Sequence, residues 1–423
     1  MACHAARTLD DVLTTRQIDC ILQQAVGNGW QLQDSVIKPA SHGLSGFLGD
    51  HFRVTFHVVL GDRGRQVNLF VKTMPLSNEP KAKFIDEHNY FRREMLMFEL
   101  FGKMQTNADE CEHSWCTTAY ICTDNMVVMP DLLHRGYRQP PTLDCLDLEH
   151  ILLAATSIAR FHAAFANYET KRNLIGNLPF NQEYAHLLKE PTFNDSPWLR
   201  AAAKLTKNFL EAFSDKYHQY PSNLEERLIK LYIEACDSLA ESSSLNVVIH
   251  KDLWVNNIMF KYEGRTPVNA LLIDFQCIRY GPPAFDLMIF LYLNTCRSFR
   301  TKYEATIFRH YYVIFSESVD HKTKERLQTL GYDFDDFVGW CHRARLFGML
   351  AALGILPYVL MEPRAAQRTF DDAATFLRYC NEDRSAPVLA HARAHAAYRA
   401  RQLHVAEEFV ERYVLPPPAL DRY

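Results

Sequence analysis

The chain has 423 residues, 48% of them hydrophobic and 12% aromatic, with 46 basic against 50 acidic side chains and a net charge of -4. That length exceeds the roughly 250 to 300 residues that one hydrophobic core serves, so two lobes are expected, and no basic surplus points to nucleic acid. The opening "MACHAARTLDDVLTTRQ" lacks an apolar run with a small-residue cleavage site, and 11 scattered cysteines suit a reducing compartment, so a cytoplasmic chain is expected.

The first clear element is "HFRVTFHVVL", in which Phe52, Val54, Phe56 and Val58 alternate with Arg53, Thr55 and His57, the pattern of a half-buried strand. "GDRG" (Gly61 to Gly64) turns the chain, and "QVNLFVKTM" resumes with Val67, Leu69 and Val71 on the apolar face. Asn68, Phe70 and Lys72 therefore point the other way. From about Lys81 the period becomes helical, with Phe84, Phe91, Met95, Phe98 and Phe101 on one stripe. Glu94 shares that stripe, and a carboxylate there needs a cation to meet it; Lys72 is the expected partner.

A second hairpin, "AYIC" and "MVVMPDL" around "TDN", leads to Pro130, after which helical patterns such as "LEHILLAATSIARFHAAFANY" dominate. The lobes are expected to be residues 1–130 and 131–423. Cys111, His113, Cys116 and Cys122 lack a CxxC pair and a matching second half, so no zinc site is expected there. The longest apolar run, Leu346 to Met361, is shorter than the roughly 20 residues of a membrane-spanning helix and holds Pro357, so it reads as a buried helix that kinks or ends near the proline.

The helical half is interrupted by "NVVIHKDLWVNNIMFKYEGRTPVNALLIDFQ". Val247 to Ile249, Ile258 to Phe260 and Leu271 to Ile273 read as the strands of a small sheet that carries a polar loop. Phosphoryl transfer needs a carboxylate for the attacking hydroxyl, oxygen ligands for magnesium and a cation for the nucleotide phosphates. Lys72, Glu94, Asp252, Asn257 and Asp274 come in the order of the corresponding groups of protein kinases, a pattern whose five-residue spacing Asp252 and Asn257 also match. His250 is expected to hold the loop by hydrogen bonds, Trp254 to pack beneath it, and Asp286 to start a helix or brace the loop. Only twelve positions separate Asp274 from Asp286, too few for a peptide-docking platform, so a small acceptor is expected.

The stretch "VIHKDLWVNNIMFKYEGRTPVNALLIDFQCIRYGPPAFDLMIFLYLNT" resembles the signature region of the arthropod ecdysteroid kinase-like family, relatives of choline kinase and the aminoglycoside phosphotransferases. "LFVKTMP", "FRREMLMFE", "VVMPDL", "SIARFHAAF" and "ARLFGMLAALGILP" extend the likeness. The resemblance implies an α+β, protein-kinase-like fold with a small β-rich N-lobe and a large, mainly helical C-lobe. It implies transfer of the ATP γ-phosphate to a small-molecule alcohol, an ecdysteroid or related steroid or xenobiotic, with no protein partner evident. A choline- or ethanolamine-type kinase and a catalytically silent pseudokinase are the alternatives.

Carried over by position, Asp252 is the base, Asn257 and Asp274 the magnesium ligands, and Lys72, braced by Glu94, the phosphate contact. Val127, Val128 and Met129 are the hinge that meets adenine. Gly43 and Gly46 would form a phosphate loop, although Gly43, Gly46 and Gly49 are spaced by three. The family usually has glycine where Lys251 stands.

Overall fold

A computed structural model describes residues 8–40, 48–104, 115–140, 145–190 and 192–416. The alternation read from the sequence folds as an antiparallel hairpin of β2 (Asp50–Leu60) and β3 (Arg63–Thr73), with a turn of only Gly61 and Asp62 between them. The sheet is completed by β1 (Gln31–Pro39), β4 (Ile121–Cys122) and β5 (Met126–Pro130), in the order β1-β2-β3-β5-β4.

The apolar row Val54, Phe56, Val58, Leu69 and Val71 packs against Ile18, Ile21 and Leu22 of helix α1 (Thr15–Val26). Because α1 takes that face, the alternate residues of β3 face the opposite way. Phe70 belongs to a separate cluster with Phe91, Val127 and Met129, and Lys72 faces helix α3.

The single stripe expected from Phe84 to Phe101 is instead two helices, α2 (Glu79–Glu87) and α3 (Tyr90–Met104). The chain breaks at Asn89, whose φ of 55° is a left-handed conformation that asparagine tolerates better than most residues. Met95 and Phe98 are half-buried, and Leu96, Met97 and Leu100 take the deeper positions. Glu94 is nonetheless buried.

The rest is mainly helical: α4 (Leu148–Leu174), α5 (Phe180–Glu183), α6 (Pro197–Phe213), α7 (Leu224–Ser238), α8 (Ala284–Asn294), α9 (Arg297–Ser318), α10 (His321–Leu330) and α11 (Phe334–Val359). Then follow α12 (Pro363–Phe370), α13 (Phe376–Asn381), α14 (Ser385–Ala394) and α15 (Ala396–Tyr413). Every residue of α8 is buried, and α11 lies directly on it. A Cβ on Gly348 would sit 2.8 Å from the Met288 carbonyl oxygen, so glycine is what allows the two backbones to approach this closely. Pro357 lies in the last turn of α11, which ends at Val359, as the sequence suggests. Among the described residues no single helix is long and apolar enough to cross a membrane.

The strands embedded in this half form two sheets rather than one. β6 (Tyr137–Arg138), β8 (Ile258–Glu263) and β9 (Thr266–Leu272) pair together, whereas β7 (Val247–Ile249) pairs with β10 (Arg279–Gly281). The polar loop therefore joins one sheet to the other. Phe275, just after β9, is buried between Phe101 of α3, Phe161 of α4 and His250, at ring separations of 4.8, 5.4 and 4.6 Å. It links the helix carrying Glu94 to the loop carrying Asp252.

Candidate active site

β3 aims Lys72 at α3, and its buried ammonium donates to Glu94 Oε2 at 2.8 Å. It also donates to Asp274 Oδ1 at 2.7 Å and to Gln276 Oε1 at 3.0 Å, while resting 5.5 Å from the Phe91 ring. These three bonds use all three ammonium hydrogens, so a phosphate oxygen reaching Lys72 would take over one of them. Burial alone would lower the Lys72 pKa, but Asp274 and Glu94 outweigh it and keep the ammonium above its ordinary value. The cluster joins the sheet, α3 and the segment after β9 through one charge.

Asp252 lies in the loop between β7 and β8. Asn257 Nδ2 donates to its Oδ2 at 2.9 Å and to its backbone oxygen at 2.7 Å, leaving the Asn257 amide oxygen for a different partner. Burial, and then the charge of Asp274, push the Asp252 carboxyl up to about 7, against the hydrogen bond from Asn257. A base poised near neutrality is what acceptance of a hydroxyl proton requires.

His250 holds this loop as expected. Its Nδ1 accepts from the Asp252 N–H at 3.3 Å, which leaves Nε2 to donate to the Ile273 carbonyl at 2.9 Å, one residue before Asp274. Asp286 supplies the brace: its carboxylate accepts the His250 and Lys251 N–H groups at 2.6 and 2.7 Å, and His162 of α4 meets it at 3.0 Å. The helix N-cap is Pro283, so Asp286 works on the loop rather than as a cap. Trp254 is buried in the main core.

Lys251 and Asp274 both have φ of 67°. The left-handed region costs a residue other than glycine roughly 1–2 kcal/mol, which explains why glycine would be at ease at position 251. The two backbone bonds to Asp286 hold Lys251 there, and its buried ammonium reaches Glu190 at 2.5 and 2.6 Å.

Gly43 and Gly46 lie outside the described residues. Gly49 has φ of 90°, and a Cβ there would sit 3.3 Å from the Thr73 carbonyl oxygen and 3.4 Å from Lys72 Cγ, so glycine lets this strand start pass over Lys72. The expected hinge residues Val127, Val128 and Met129 lie in β5. Val127 and Val128 pair with β3 on one side and β4 on the other. Met129 and Pro130 pair only with β3, and the Asp131 N–H still donates to the Asn68 carbonyl at 2.9 Å. Of the four residues weighed for zinc, Cys111 and His113 lie outside the described residues, and Cys116 is buried.

Sequence reasoning gave no role to Gln276, Glu190, His162 or Arg93. Arg93, beside Glu94, donates to the Ile278 and Lys189 carbonyls at 3.3 and 2.5 Å and so ties α3 to both neighbouring segments. Only Gln276 carried a usable signal, an amide directly after the "DF" pair.

A magnesium ion takes one or two carboxylates together with phosphate oxygens and water. Asp274, half-exposed beside Lys72, and the amide oxygen of Asn257 are hard oxygen donors that fit such an ion. Among the described residues no three His, Cys, Asp or Glu side chains gather into a self-contained metal cage.

No curated protein matches the chain. Among solved structures, a Plasmodium vivax ethanolamine kinase is similar at 12% identity and a TM-score of 0.37, covering 90% of this chain and 86% of its own. A gentamicin complex of an aminoglycoside phosphotransferase is similar at 12% identity and a TM-score of 0.33, covering 81% of this chain and 99% of its own. An ADP-bound aminoglycoside phosphotransferase is similar at 12% identity and a TM-score of 0.34, covering 79% and 99%. The model of the ecdysteroid kinase-like family matches residues 44–323, and the chain belongs to that family.

Proposed function

We propose that the chain transfers the γ-phosphoryl group of ATP to the hydroxyl of a small, apolar alcohol, an ecdysteroid or a related steroid or xenobiotic. The observation that carries this is the pairing of two clusters: Lys72 held to both Glu94 and Asp274, and Asp252 held to Asn257. Residues 1–130 form the nucleotide lobe and 131–423 the lobe with the catalytic loop.

Lys72 contacts the nucleotide phosphates, with Glu94 fixing its direction. Asp274 and Asn257 hold magnesium, which when bound neutralises charge on the β- and γ-phosphates. Asp252 accepts the proton of the attacking hydroxyl, and Asn257 orients it. Adenine meets the chain at Met129 and beyond, near Phe70 and Ile273, rather than at Val127 and Val128.

Support for a small acceptor comes from the path after Asp274. A short turn at Phe275–Cys277 leads straight into β10, which pairs back onto β7, and α8 begins at Ala284. That leaves no extended segment on which a peptide could dock.

The test is mass spectrometry of products after incubation with ATP, magnesium and a panel of ecdysteroids, sterols, choline and ethanolamine. A phosphate adduct on a steroid alcohol, absent with Asp252→Asn, is expected. Adducts on choline or ethanolamine alone would replace the acceptor class, and ATP binding without any adduct would favour the silent alternative.

A further inference from the structure

Lys251 follows His250 at the start of the loop, yet it bonds to Asp286 and Glu190 whereas Lys72 bonds to Glu94, Asp274 and Gln276. Its side chain is 1% exposed, and its ammonium lies 5.3 Å from the Phe193 ring, held by both oxygens of Glu190. Glu190 Oε1 also accepts the N–H groups of Thr192 and Phe193 at 3.1 and 2.9 Å, and Oε2 lies 3.4 Å from Arg279 Nη1. A carboxylate offers about four lone-pair positions, so this one is saturated.

An ammonium enclosed by a carboxylate and an aromatic face is the chemistry of an amine-binding cage. Here the amine belongs to the protein. It is the residue next to Asp252, which on the phosphotransfer reading receives the acceptor hydroxyl, and Arg279 adds a second cation on the same carboxylate. A cationic alcohol placed at Asp252 would find Glu190 already taken by Lys251.

Resting on that reading, we propose that Lys251 is a built-in cation filling an amine subsite formed by Glu190 and Phe193, and that it restricts the acceptor to non-cationic alcohols. Lys251 thus acts as a specificity-determining residue. With glycine at this position the backbone would lose its strain and the subsite would open, leaving Glu190 to recruit an external amine.

The experiment compares the unfolding temperature of the wild type and Lys251→Gly in n-butylammonium chloride, with sodium chloride and n-butanol as controls. Lys251→Gly should gain about 2–4 °C at saturating butylammonium, the wild type should gain nothing, and Lys251→Gly/Glu190→Gln should lose the gain. Equal responses of wild type and Lys251→Gly, or a gain that survives Glu190→Gln, would overturn the assignment.

If Lys251→Gly does not fold alone, butylammonium should restore soluble protein and Glu190→Gln should restore it without the amine; rescue by neither overturns the pairing. The shift needs no turnover, so failure of phosphotransfer would be seen separately, as ATP and magnesium giving no adduct on any alcohol. Where turnover is found, the wild type should prefer N-acetylethanolamine to ethanolamine and Lys251→Gly should narrow that preference. A wild type that prefers ethanolamine would also overturn the inference.

Discussion

Two buried lysines organise the site, and they are built differently. Lys72 projects from the middle of a sheet and gathers carboxylates from a helix and from the segment after a strand, Glu94 and Asp274. Lys251 sits at a strained loop position and finds its carboxylate, Glu190, in irregular chain between α5 and α6. The first cluster spans the two lobes, so its charges are placed where a nucleotide and its metal would bridge them. The second lies wholly within the helical half, where it shapes the surroundings of Asp252. On the proposed reading, one arrangement serves the phosphate donor and the other the acceptor.

The sharpest way to separate them is to neutralise the group between them. Asp252→Asn should lower turnover by about 100- to 10,000-fold, the range a positioned base contributes, measured as phosphorylated product per unit time. Retention of even a third of wild-type turnover would remove Asp252 from that role.

Lys72→Met tests whether the first cluster is held by charge. It leaves Glu94 buried without its cation, and breaking a buried pair costs about 3–5 kcal/mol, so the urea midpoint should fall steeply. Lys72→Met/Glu94→Leu should recover most of that stability without recovering activity. A double variant as unstable as the single one would mean that packing, not the charge, was lost.

A smaller effect concerns pH. With its carboxyl pushed up to about 7 by burial and by Asp274, Asp252 is protonated at lower pH and cannot accept a proton. The rate should therefore fall about tenfold per unit below the midpoint, and magnesium beside Asp274 should move that midpoint downward. A flat profile to pH 5 would contradict the assignment.

The smallest effect is expected at His51, which stands opposite Lys72 in the β2–β3 register. Burial, and then the charge of Lys72, push its pKa down from 6.5 to about 4. The depressed value means its contribution to stability is fully present above 6.5 and is lost as pH falls toward 4. The melting temperature of His51→Gln should decline less over that window than that of the wild type.

The contrast between the clusters also explains what could be read in advance. Period-two alternation placed Lys72 on the face opposite Val67, Leu69 and Val71, and helical spacing placed Glu94 inward, because regular elements transmit direction along the chain. The spacing of Asp252, Asn257 and Asp274 carried the loop. Glu190 has no such frame: nothing periodic surrounds it, and its role depends on Lys251 adopting a φ of 67°. The two-helix break at Asn89 was hidden because the apolar stripe continues across it. Strand β1 escaped notice because it is mostly exposed or half-buried and lacks a clean alternation.

The division of labour is tested most directly by calorimetric titration of ATP into the wild type, Asp274→Asn and Asp252→Asn, with and without magnesium. Magnesium-dependent binding is expected, weakened at least tenfold, about 1.4 kcal/mol, by Asp274→Asn and left nearly unchanged by Asp252→Asn. Binding indifferent to magnesium, or equal losses in the two variants, would contradict it.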